Sequence, residues 1–382
     1  MKHILTIDLE EWFHVCGAES TLPPSSWDSL ESRLPDVSGK LLDLLDRVGV
    51  RATFFVVGYV ADRYPDLVAE VRERGHRIGS HGYLHQRIYE MTEDEFARDL
   101  DRSVKAIEKA CGVTPCSYRS PEWSLRPQCG WALRILAQRG FTFDSSAVPF
   151  TLMGSRSFPR GTTSISTEHG PITEVPLTTV RCFWERLPYT GGLAFRLHPE
   201  WYVHRRLQRE TARGHPVMVY LHPFDLVRDL PEASLPFTRR IMQRFARGSA
   251  PERVSRLLAT YRFAPLEEVC AESAGLWTDD SPSDQVEGLQ TLLRRSALGT
   301  AALFTTLGVA GGLLGAAVGP VSLLLPPAVV AATYVHHQVH ALAWRHKRRS
   351  GDAYDPAVGS VSGPALVSDR LRGDSADSTA GP

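Results

Sequence analysis

The stretch "TIDLEEWFH" (Thr6–His14) combines the apolar pattern of a buried strand with an unusual concentration of acidic residues. Isoleucine and leucine alternate through its first half, and Asp8, Glu10 and Glu11 follow almost at once. Acidic residues are poor strand formers and are seldom buried without partners. The cluster therefore indicates either a turn at the end of a first strand or a site that requires carboxylates.

Strand and helix patterns alternate from this stretch to about residue 265. Arg51–Gly58 is β-branched and aromatic, which is typical of a strand, and Tyr64–Gly75 has the apolar spacing of a helix. Thr92 and Glu95 form a capping-box pattern before a further helix that Gly112 ends. Later segments continue the alternation, with a helix over 127–139 and strands in "HRIGSH", "FTFDSS" and "PVMVYLHP". This order predicts a parallel α/β architecture of the barrel type.

The composition excludes some functions and leaves others open. The 382 residues contain 43 basic and 43 acidic side chains, so the formal net charge is zero and a nucleic-acid binder is not indicated. Six cysteines form no CxxC pair, which predicts reduced thiols in a cytoplasmic protein, with a Cys111–Cys116 pair as the alternative. No apolar signal region follows Met1, so we do not expect secretion by an ordinary signal peptide.

A change of composition near Cys270 divides the chain. The preceding part, residues 1–268, is predicted to be one domain of alternating strands and helices. The polar segment 269–290 has the composition of a linker, and the tail 346–382, rich in Gly, Ser, Asp and Ala, is predicted to be disordered. Between them, residues 291–345 are predicted to form an apolar helical hairpin.

The predicted hairpin is free of Asp, Glu, Lys and Arg over Ser296–Trp344. Because a bilayer-spanning helix needs about 20 apolar residues, this stretch is long enough for two spans, Ala297–Gly319 and 321–343. A stripe of small residues in the first span would allow contact with another helix: Gly311, Gly315 and Gly319. Basic residues flank both ends, which predicts that both ends and the preceding domain lie on the cytoplasmic side. The alternative is a buried helical hairpin of a soluble domain.

Several chemically active side chains accompany the opening acids. "SHGYLH" supplies His81 and His85, whose spacing can place two imidazoles on one side of a turn, as metal binding requires. "YRSPEW" supplies Arg119, Pro121 and Trp123. "FTFDSS" and "VYLHPFD" supply residues just past strand-like runs: Asp144 and His222. In a parallel α/β barrel, functional groups gather at the C-terminal ends of strands, and these positions fit that placement.

The ordered motifs D-x-E, H-x-x-x-H, R-x-P-x-W, F-x-x-D and L-H resemble those of the polysaccharide deacetylase superfamily, which is carbohydrate esterase family four with the nodulation-type deacetylase domain. More narrowly, the "EEWFH" opening and the "YLHPFD" ending resemble the branch found with exopolysaccharide biosynthesis, including its extra C-terminal segment. The resemblance covers roughly residues 2–269. It implies a distorted (β/α) barrel and metal-assisted removal of acetyl groups from an N-acetylated sugar.

The resemblance also implies roles for individual residues. His81 and His85 take the positions of metal ligands, with an acid of the opening stretch as the third ligand. One divalent ion, with zinc as the expected metal, would be bound there. Asp8 takes the position of the general base, and His222 takes that of the general acid.

Two further positions have supporting roles in the family. Arg119 would orient Asp8, and Asp144 would tune His222. A backbone N–H just after Pro121 would help to hold the oxyanion, and Trp123 would either stack on the sugar or belong to the core.

The opening motif departs from the family pattern in one respect. Many members carry two adjacent aspartates, whereas Leu9 follows Asp8 here. Side chains alternate along a strand, so Glu10 is expected on the same side as Asp8, with Glu11 as the alternative third ligand. The roles of some other nearby or isolated residues are left open by the sequence: Trp12, Phe13, His14, His198, His204 and His215.

These observations predict a membrane-associated, metal-dependent deacetylase of an N-acetylated glycan or lipid-linked sugar in polysaccharide biosynthesis. One alternative is a hydrolase of a small non-sugar amide. Another is a catalytically silent, membrane-anchored glycan-binding or scaffold protein.

Overall fold

A computed structural model describes residues 1–182, 185–227, 231 and 248–272. The strands in this part are β1 His3–Leu9, β2 Thr53–Val56, β3 Arg77–Ser80, β4 Ser117–Tyr118, β5 Phe143–Asp144, β6 Thr163–Thr167, β7 Gly170–Glu174, β8 Thr179–Cys182, β9 Glu185–Pro188, β10 Met218–Leu221 and β11 Phe263–Ala264. The helices are α1 Leu34–Arg47, α2 Gly58–Arg63, α3 Pro65–Glu73, α4 Glu93–Cys111, α5 Trp131–Gln138, α6 Gly192–Leu197, α7 Glu200–Ala212, α8 Ala250–Thr260 and α9 Leu266–Glu272.

Strand β1 is buried along its whole length, and its two faces enter different parts of the core. Leu5, Ile7 and Leu9 pack in the larger cluster, which includes apolar residues of the surrounding helices. Ile4 belongs to a second cluster with side chains such as Phe55 on β2. Because side chains alternate along a strand, Asp8 lies on the same face as Ile4. The alternation in the opening stretch therefore decides which residues pack against the helices, such as Leu5, and which lie on the opposite face of the sheet, such as Ile4 and Asp8.

The main sheet has the strand order β10-β1-β2-β3-β4-β5-β7-β6, with β11 also paired to β1. Strands from β10 to β7 run parallel along this order, and β6 is antiparallel to β7. Arg119, just after β4, lies 3.1 Å from the sulfur of Met218 on β10. In a flat sheet, strands four positions apart would be separated by about 19 Å. The contact therefore requires the sheet to curl into a half barrel.

The α/β architecture predicted from the sequence is confirmed in its alternating, mainly parallel part. The sequence analysis does not predict β6 and β7, which form an antiparallel hairpin whose residues pair from Thr163↔Glu174 to Thr167↔Gly170, while β7 is also parallel to β5. A second antiparallel pair, β8 and β9, forms a separate small sheet. Both hairpins are rich in polar residues, so they lack the continuous apolar run by which a buried parallel strand is recognised.

The capping prediction for α4 is confirmed. The Thr92 hydroxyl accepts from the backbone N–H of Glu95, the Glu95 carboxylate accepts from the N–H of Thr92, and Gly112 ends the helix in the left-handed conformation with φ 68°. The single helix predicted over 127–139 is divided into a 3₁₀ turn, Pro127–Cys129, and helix α5.

The predicted linker, apolar hairpin and tail lie outside the described residues, apart from residues 269–272 of the linker, which are helical. None of the helices in the described part combines the length and hydropathy needed to cross a membrane. The five cysteines whose side chains are described form no disulfide bond with one another: Cys16, Cys111, Cys116, Cys129 and Cys270.

Candidate active site

Side chains from several strands meet at the C-terminal edge of the half barrel. Asp8 is the second-last residue of β1, and His81 directly follows β3. Arg119 follows β4, and His222 follows β10. All four are at the carboxyl ends of neighbouring parallel strands, which is where loops assemble functional sites in this class of sheet.

Glu10, His81 and His85 each offer a ligand atom, and these atoms lie within 4.8 Å of one another. All three side chains are buried. The Nδ1 of His81 donates to the carbonyl oxygen of Arg119 at 2.7 Å, which directs its Nε2 lone pair towards Glu10. Burial lowers the pKa of His81 to about 4 and so favours the neutral imidazole that a metal needs. One carboxylate and two imidazoles suit a divalent ion of the zinc type with an open position.

The structure distinguishes the two candidate carboxylates. The Glu10 carboxylate lies against Nε2 of His85 and 3.7 Å from Nε2 of His81. Glu11 instead accepts a hydrogen bond from the hydroxyl of Ser32. Burial raises the pKa of Glu11 to about 7. Glu10 is therefore the third donor of this cluster, although β1 ends one residue before it.

A buried ion pair lies beside the metal-ligand cluster. Arg119 donates to Asp8 Oδ1 at 2.7 Å and to the Thr6 hydroxyl at 2.8 Å. Burial alone would raise the pKa of Asp8, but the charges of Arg119, His81 and His222 lower it below its usual range. Asp8 is thus held as a carboxylate, which is the state that can accept a proton.

The guanidinium of Arg119 is fixed from several sides. Its Nη2 donates to the Ser145 hydroxyl at 3.0 Å, and it lies 4.3 Å from the ring centre of Phe55 and 4.4 Å from that of Trp123. Trp123 is only 4% exposed and also packs against Tyr220. Of the two predictions for Trp123, the structure therefore agrees with the core position.

The turn after Arg119 has an unusual backbone. Pro121 is buried at its start, and Glu122 and Trp123 have positive φ angles of 49° and 54°. Such angles are uncommon outside glycine and cost free energy. The Glu122 carboxylate accepts from Arg87 at 2.9 Å, and this contact helps to hold the turn.

His222 is supported by Asp225, which is three residues further along the chain. The Nδ1 of His222 lies 3.0 Å from Asp225 Oδ2, and its Nε2 lies 3.4 Å from Glu10 Oε1 and 3.9 Å from Asp8 Oδ2. Burial would lower the pKa of His222, but the hydrogen bond and charge of Asp225, with Glu10 and Asp8, raise it to about 9. Asp225 also pairs with the buried Arg196 at 3.5 Å.

The predicted contact between Asp144 and His222 is wrong, because Asp225 occupies that position. Asp144 lies in β5 directly opposite Glu174 in β7, and both side chains are buried. The Ser146 hydroxyl donates to Asp144 at 2.7 Å, and the N–H of Ala147 donates to Glu174 at 3.0 Å. Asp144 therefore belongs to a buried pair of carboxyl groups behind the site.

This acid pair has a testable effect on stability. Burial and the charge of Asp144 raise the pKa of Glu174 well above its ordinary 4.5, so above that pH the folded protein retains a proton that the unfolded chain releases. Stability is therefore lost as the pH rises above that ordinary value, by up to about 1.4 kcal/mol per pH unit. Glu174→Gln keeps a donor towards Asp144 at every pH, so we expect its stability relative to the wild type to increase as the pH rises above about 5.

Urea unfolding at several pH values measures this difference. Glu168→Gln is the matched control, because the Glu168 side chain is 63% exposed. Parallel stability curves for Glu174→Gln and the wild type would contradict the prediction.

Asp225 was not found from the sequence, although a signal for it was present. "HPFD" places Asp225 three residues after His222 on a turn that begins with proline, and this spacing allows the two to bond reciprocally as a capping box.

Three histidines without motif context make contacts with other groups, namely His198 with the carbonyl of Pro188, His204 with Tyr261 and His215 with Glu210.

The protein is thus an α/β protein with a curled, mainly parallel sheet. The side chains at the edge of this sheet include three that could hold a divalent metal ion. Residues 25–141 match the family model described as polysaccharide deacetylase, and residues 145–271 match one described as a domain of unknown function, DUF3473. Residues 25–141 therefore form part of a polysaccharide deacetylase domain. Strands β2, β3 and β4 from the first region and β7 and β10 from the second belong to the same sheet, so both regions contribute to it.

Two relatives have names that indicate their substrates. The chain is 33% identical to the peptidoglycan-N-acetylglucosamine deacetylase of Bacillus cereus over 24% of its own length and 34% of that protein. It is 30% identical to chitin deacetylase 1 of Cryptococcus neoformans over 27% of its own length and 21% of that protein. The matches thus span about a third or less of these curated relatives.

A crystal structure of a polysaccharide deacetylase candidate from Mycobacterium smegmatis aligns with a TM-score of 0.49 at 23% identity, over 74% of this chain and 96% of that chain. The assignment to the branch associated with exopolysaccharide biosynthesis, with its extra C-terminal segment, stays a prediction.

Proposed function

We propose that this protein is a metal-dependent hydrolase that removes N-acetyl groups from an N-acetylated glycan or lipid-linked sugar in polysaccharide biosynthesis. The observation that carries the proposal is the convergence of Glu10, His81 and His85 within 4.8 Å, beside the carboxylate of Asp8 and the imidazole of His222. This arrangement combines a metal-ligand set, a base and an acid at the edge of one sheet.

The residues fit a divalent ion, with zinc as our proposed metal, because His81 presents a neutral nitrogen and Glu10 supplies negative charge. When bound by Glu10, His81 and His85, the ion would polarise the acetyl carbonyl and make a water molecule more acidic. Asp8 accepts the proton of the attacking water, and Arg119 keeps that carboxylate ionised and oriented.

His222 acts at the other end of the reaction. Amines leave poorly unless they are protonated, and the raised pKa of His222 makes the imidazolium available as a general acid. Asp225 holds the Nδ1 proton of that ring, so Nε2 is the atom that delivers a proton to the departing sugar amine. We also propose that the backbone N–H following Pro121 assists in stabilising the oxyanion.

Asp225→Asn tests the support of His222. We expect kcat for acetate release to fall about 10- to 100-fold while the metal content stays unchanged. The fall is smaller than the full contribution of a general acid, because the variant retains His222 and loses only its charged partner. Acetate release and metal analysis of the purified variant measure the two quantities. Asp36→Asn is the control, because the Asp36 side chain is 68% exposed and pairs only with Lys40 among the described residues. A loss of metal together with activity would contradict the proposed role.

The central experiment is acetate release from N-acetylglucosamine oligomers by the metal-loaded protein and by the protein treated with chelator. Release that requires the ion supports the proposal. A parallel panel of acetylated small amides tests the alternative of a non-sugar amidase. If neither class of substrate reacts while glycans still bind, the protein is the silent glycan-binding or scaffold protein of the second alternative.

We also propose that residues 297–343 associate with the membrane and keep the catalytic domain at the cytoplasmic face, where lipid-linked sugars would be accessible. The proposal rests on the apolar composition of this segment and its basic flanks. Cleavage of the tail after Arg349 by a protease added outside sealed inverted vesicles is expected, and full protection of the tail would contradict it.

A further inference from the structure

Two buried side chains directly behind the metal-ligand cluster have no role in the mechanism above. His14 and Cys16 lie just after the opening acids, and each is 4% exposed. His14 is near Glu10 in sequence, and Cys16 reaches His85, which is far away along the chain. Their contacts are with His85 and with the turn that carries Glu10.

His14 contacts the turn next to Glu10 through Nδ1 and contacts His85 through its ring. Its Nδ1 accepts from the backbone N–H of Glu11 at 3.3 Å, which closes the turn that presents Glu10. Its ring stacks on that of His85 with a centroid distance of 5.8 Å and an interplanar angle of 26°. On another side the ring of Trp27 lies 4.4 Å away, so the His14 ring is fixed in place.

Cys16 contacts the backbone and the ring of His85. Its Sγ lies 3.1 Å from the His85 carbonyl oxygen and 3.5 Å from the His85 Nδ1. For Nε2 of His85 to bind a metal, Nδ1 must carry the proton, so Nδ1 donates to the sulfur while the thiol donates to the carbonyl. His85 also has a positive φ of 52°, a conformation that costs free energy unless surrounding contacts maintain it.

We propose that His14 and Cys16 are positioning residues that hold Glu10 and His85 in the geometry needed to bind the metal. Residues 10–16 would thus supply one ligand and support a second that comes from the loop after β3. The inference rests on the proposed metal function of Glu10, His81 and His85. Groups that hydrogen-bond to metal ligands orient them, and their removal typically reduces metal affinity about 10- to 100-fold.

Cys16→Ala tests the contact with His85. We expect its Kd for Zn²⁺, measured by competition with a chromophoric chelator, to rise about 10- to 100-fold. Cys16→Ser keeps a donor and an acceptor and should restore most of the affinity. Cys111→Ala is the matched control, because Cys111 is also buried but bonds the carbonyl of Ile107 in helix α4, so its Kd should equal that of the wild type.

Two substitutions separate the contacts of His14. His14→Phe keeps an aromatic ring beside His85 but removes the acceptor for the Glu11 N–H, whereas His14→Asn keeps an acceptor and removes the ring. We expect both to raise the Kd for Zn²⁺ and to change the visible absorption spectrum of bound Co²⁺, which reports ligand geometry. The melting temperature of the metal-free protein shows whether a variant has merely lost stability.

The outcomes distinguish this inference from the proposed function. If the wild type binds Zn²⁺ but Cys16→Ala and His14→Phe bind it equally well, with unchanged Co²⁺ spectra, the positioning role is overturned and the metal site is retained. A lower melting temperature with unchanged metal affinity also overturns it. If the wild type itself binds no divalent ion, the proposed metal function fails first, and the inference fails with it.

Discussion

His81→Ala is expected to lose the bound metal and to reduce the rate of acetate release at least about 10³-fold. The imidazole of His81 is one of two nitrogen donors in the cluster, and its Nδ1 is held by the carbonyl of Arg119. A carboxylate and one histidine make a weak site for a divalent ion of the zinc type. Removal of the ion takes away the polarisation of the carbonyl, which contributes several kcal/mol to such reactions.

Metal analysis of the purified variant and initial rates of acetate release check both parts of this prediction. His169→Ala is the control, because the side chain of His169 is 37% exposed on the turn between β6 and β7, away from the cluster. It should keep one ion per chain and the wild-type rate. A His81→Ala protein that remains active without metal would exclude the proposed mechanism.

Asp8→Asn is expected to lower kcat about 10²- to 10⁴-fold while the metal stays bound. The asparagine side chain keeps an oxygen that can accept from Arg119, but it cannot take a proton from water. The contrast with His81→Ala is informative, because one substitution removes the ion and the other leaves it in place. Loss of activity with full metal content therefore assigns the base, since Asp8 is not a member of the ligand cluster.

The control for Asp8→Asn must show that loss of an ion pair alone does not inactivate the protein. Asp101→Asn serves this purpose, since Asp101 pairs with Arg139 at 2.5 Å on the outside of the fold. Its kcat should match that of the wild type. Because Asp8→Asn leaves the buried Arg119 with a neutral partner, the unfolding free energy of both variants is measured so that rates are compared only between folded proteins. A fall in kcat of less than about tenfold would remove Asp8 from the base position.

Local sequence patterns were sufficient for much of the fold. The capping box at Thr92 and the left-handed Gly112 were predicted because their signals lie within one turn of the helix ends. The strand-end positions of Asp8, His81 and His222 were predicted because apolar runs mark the buried strands that precede them. The antiparallel hairpin of β6 and β7 was missed, since its alternating polar residues do not reveal which strand it would pair with.

The partner of His222 shows the limit of sequence reasoning most clearly. Asp144 is the last residue of β5, where it lies opposite Glu174 and accepts a hydrogen bond from the Ser146 hydroxyl. Asp225 supports His222 instead, through a short turn that begins with proline. Which carboxylate reaches a histidine depends on the curvature of the sheet and the path of the loops, and neither is encoded in residue spacing alone.

The sequence by itself determined the residue types of the site, their order, and their positions at strand ends, because hydrophobic periodicity and turn signals are local properties. The alternation along β1 also favoured Glu10 over Glu11 before any contact was known. Only the tertiary structure decided that Glu10 meets two histidines and that Asp225 replaces Asp144. It also placed Cys16 against His85. These contacts join residues on different elements, so they form only when the sheet curls and brings its strand ends together.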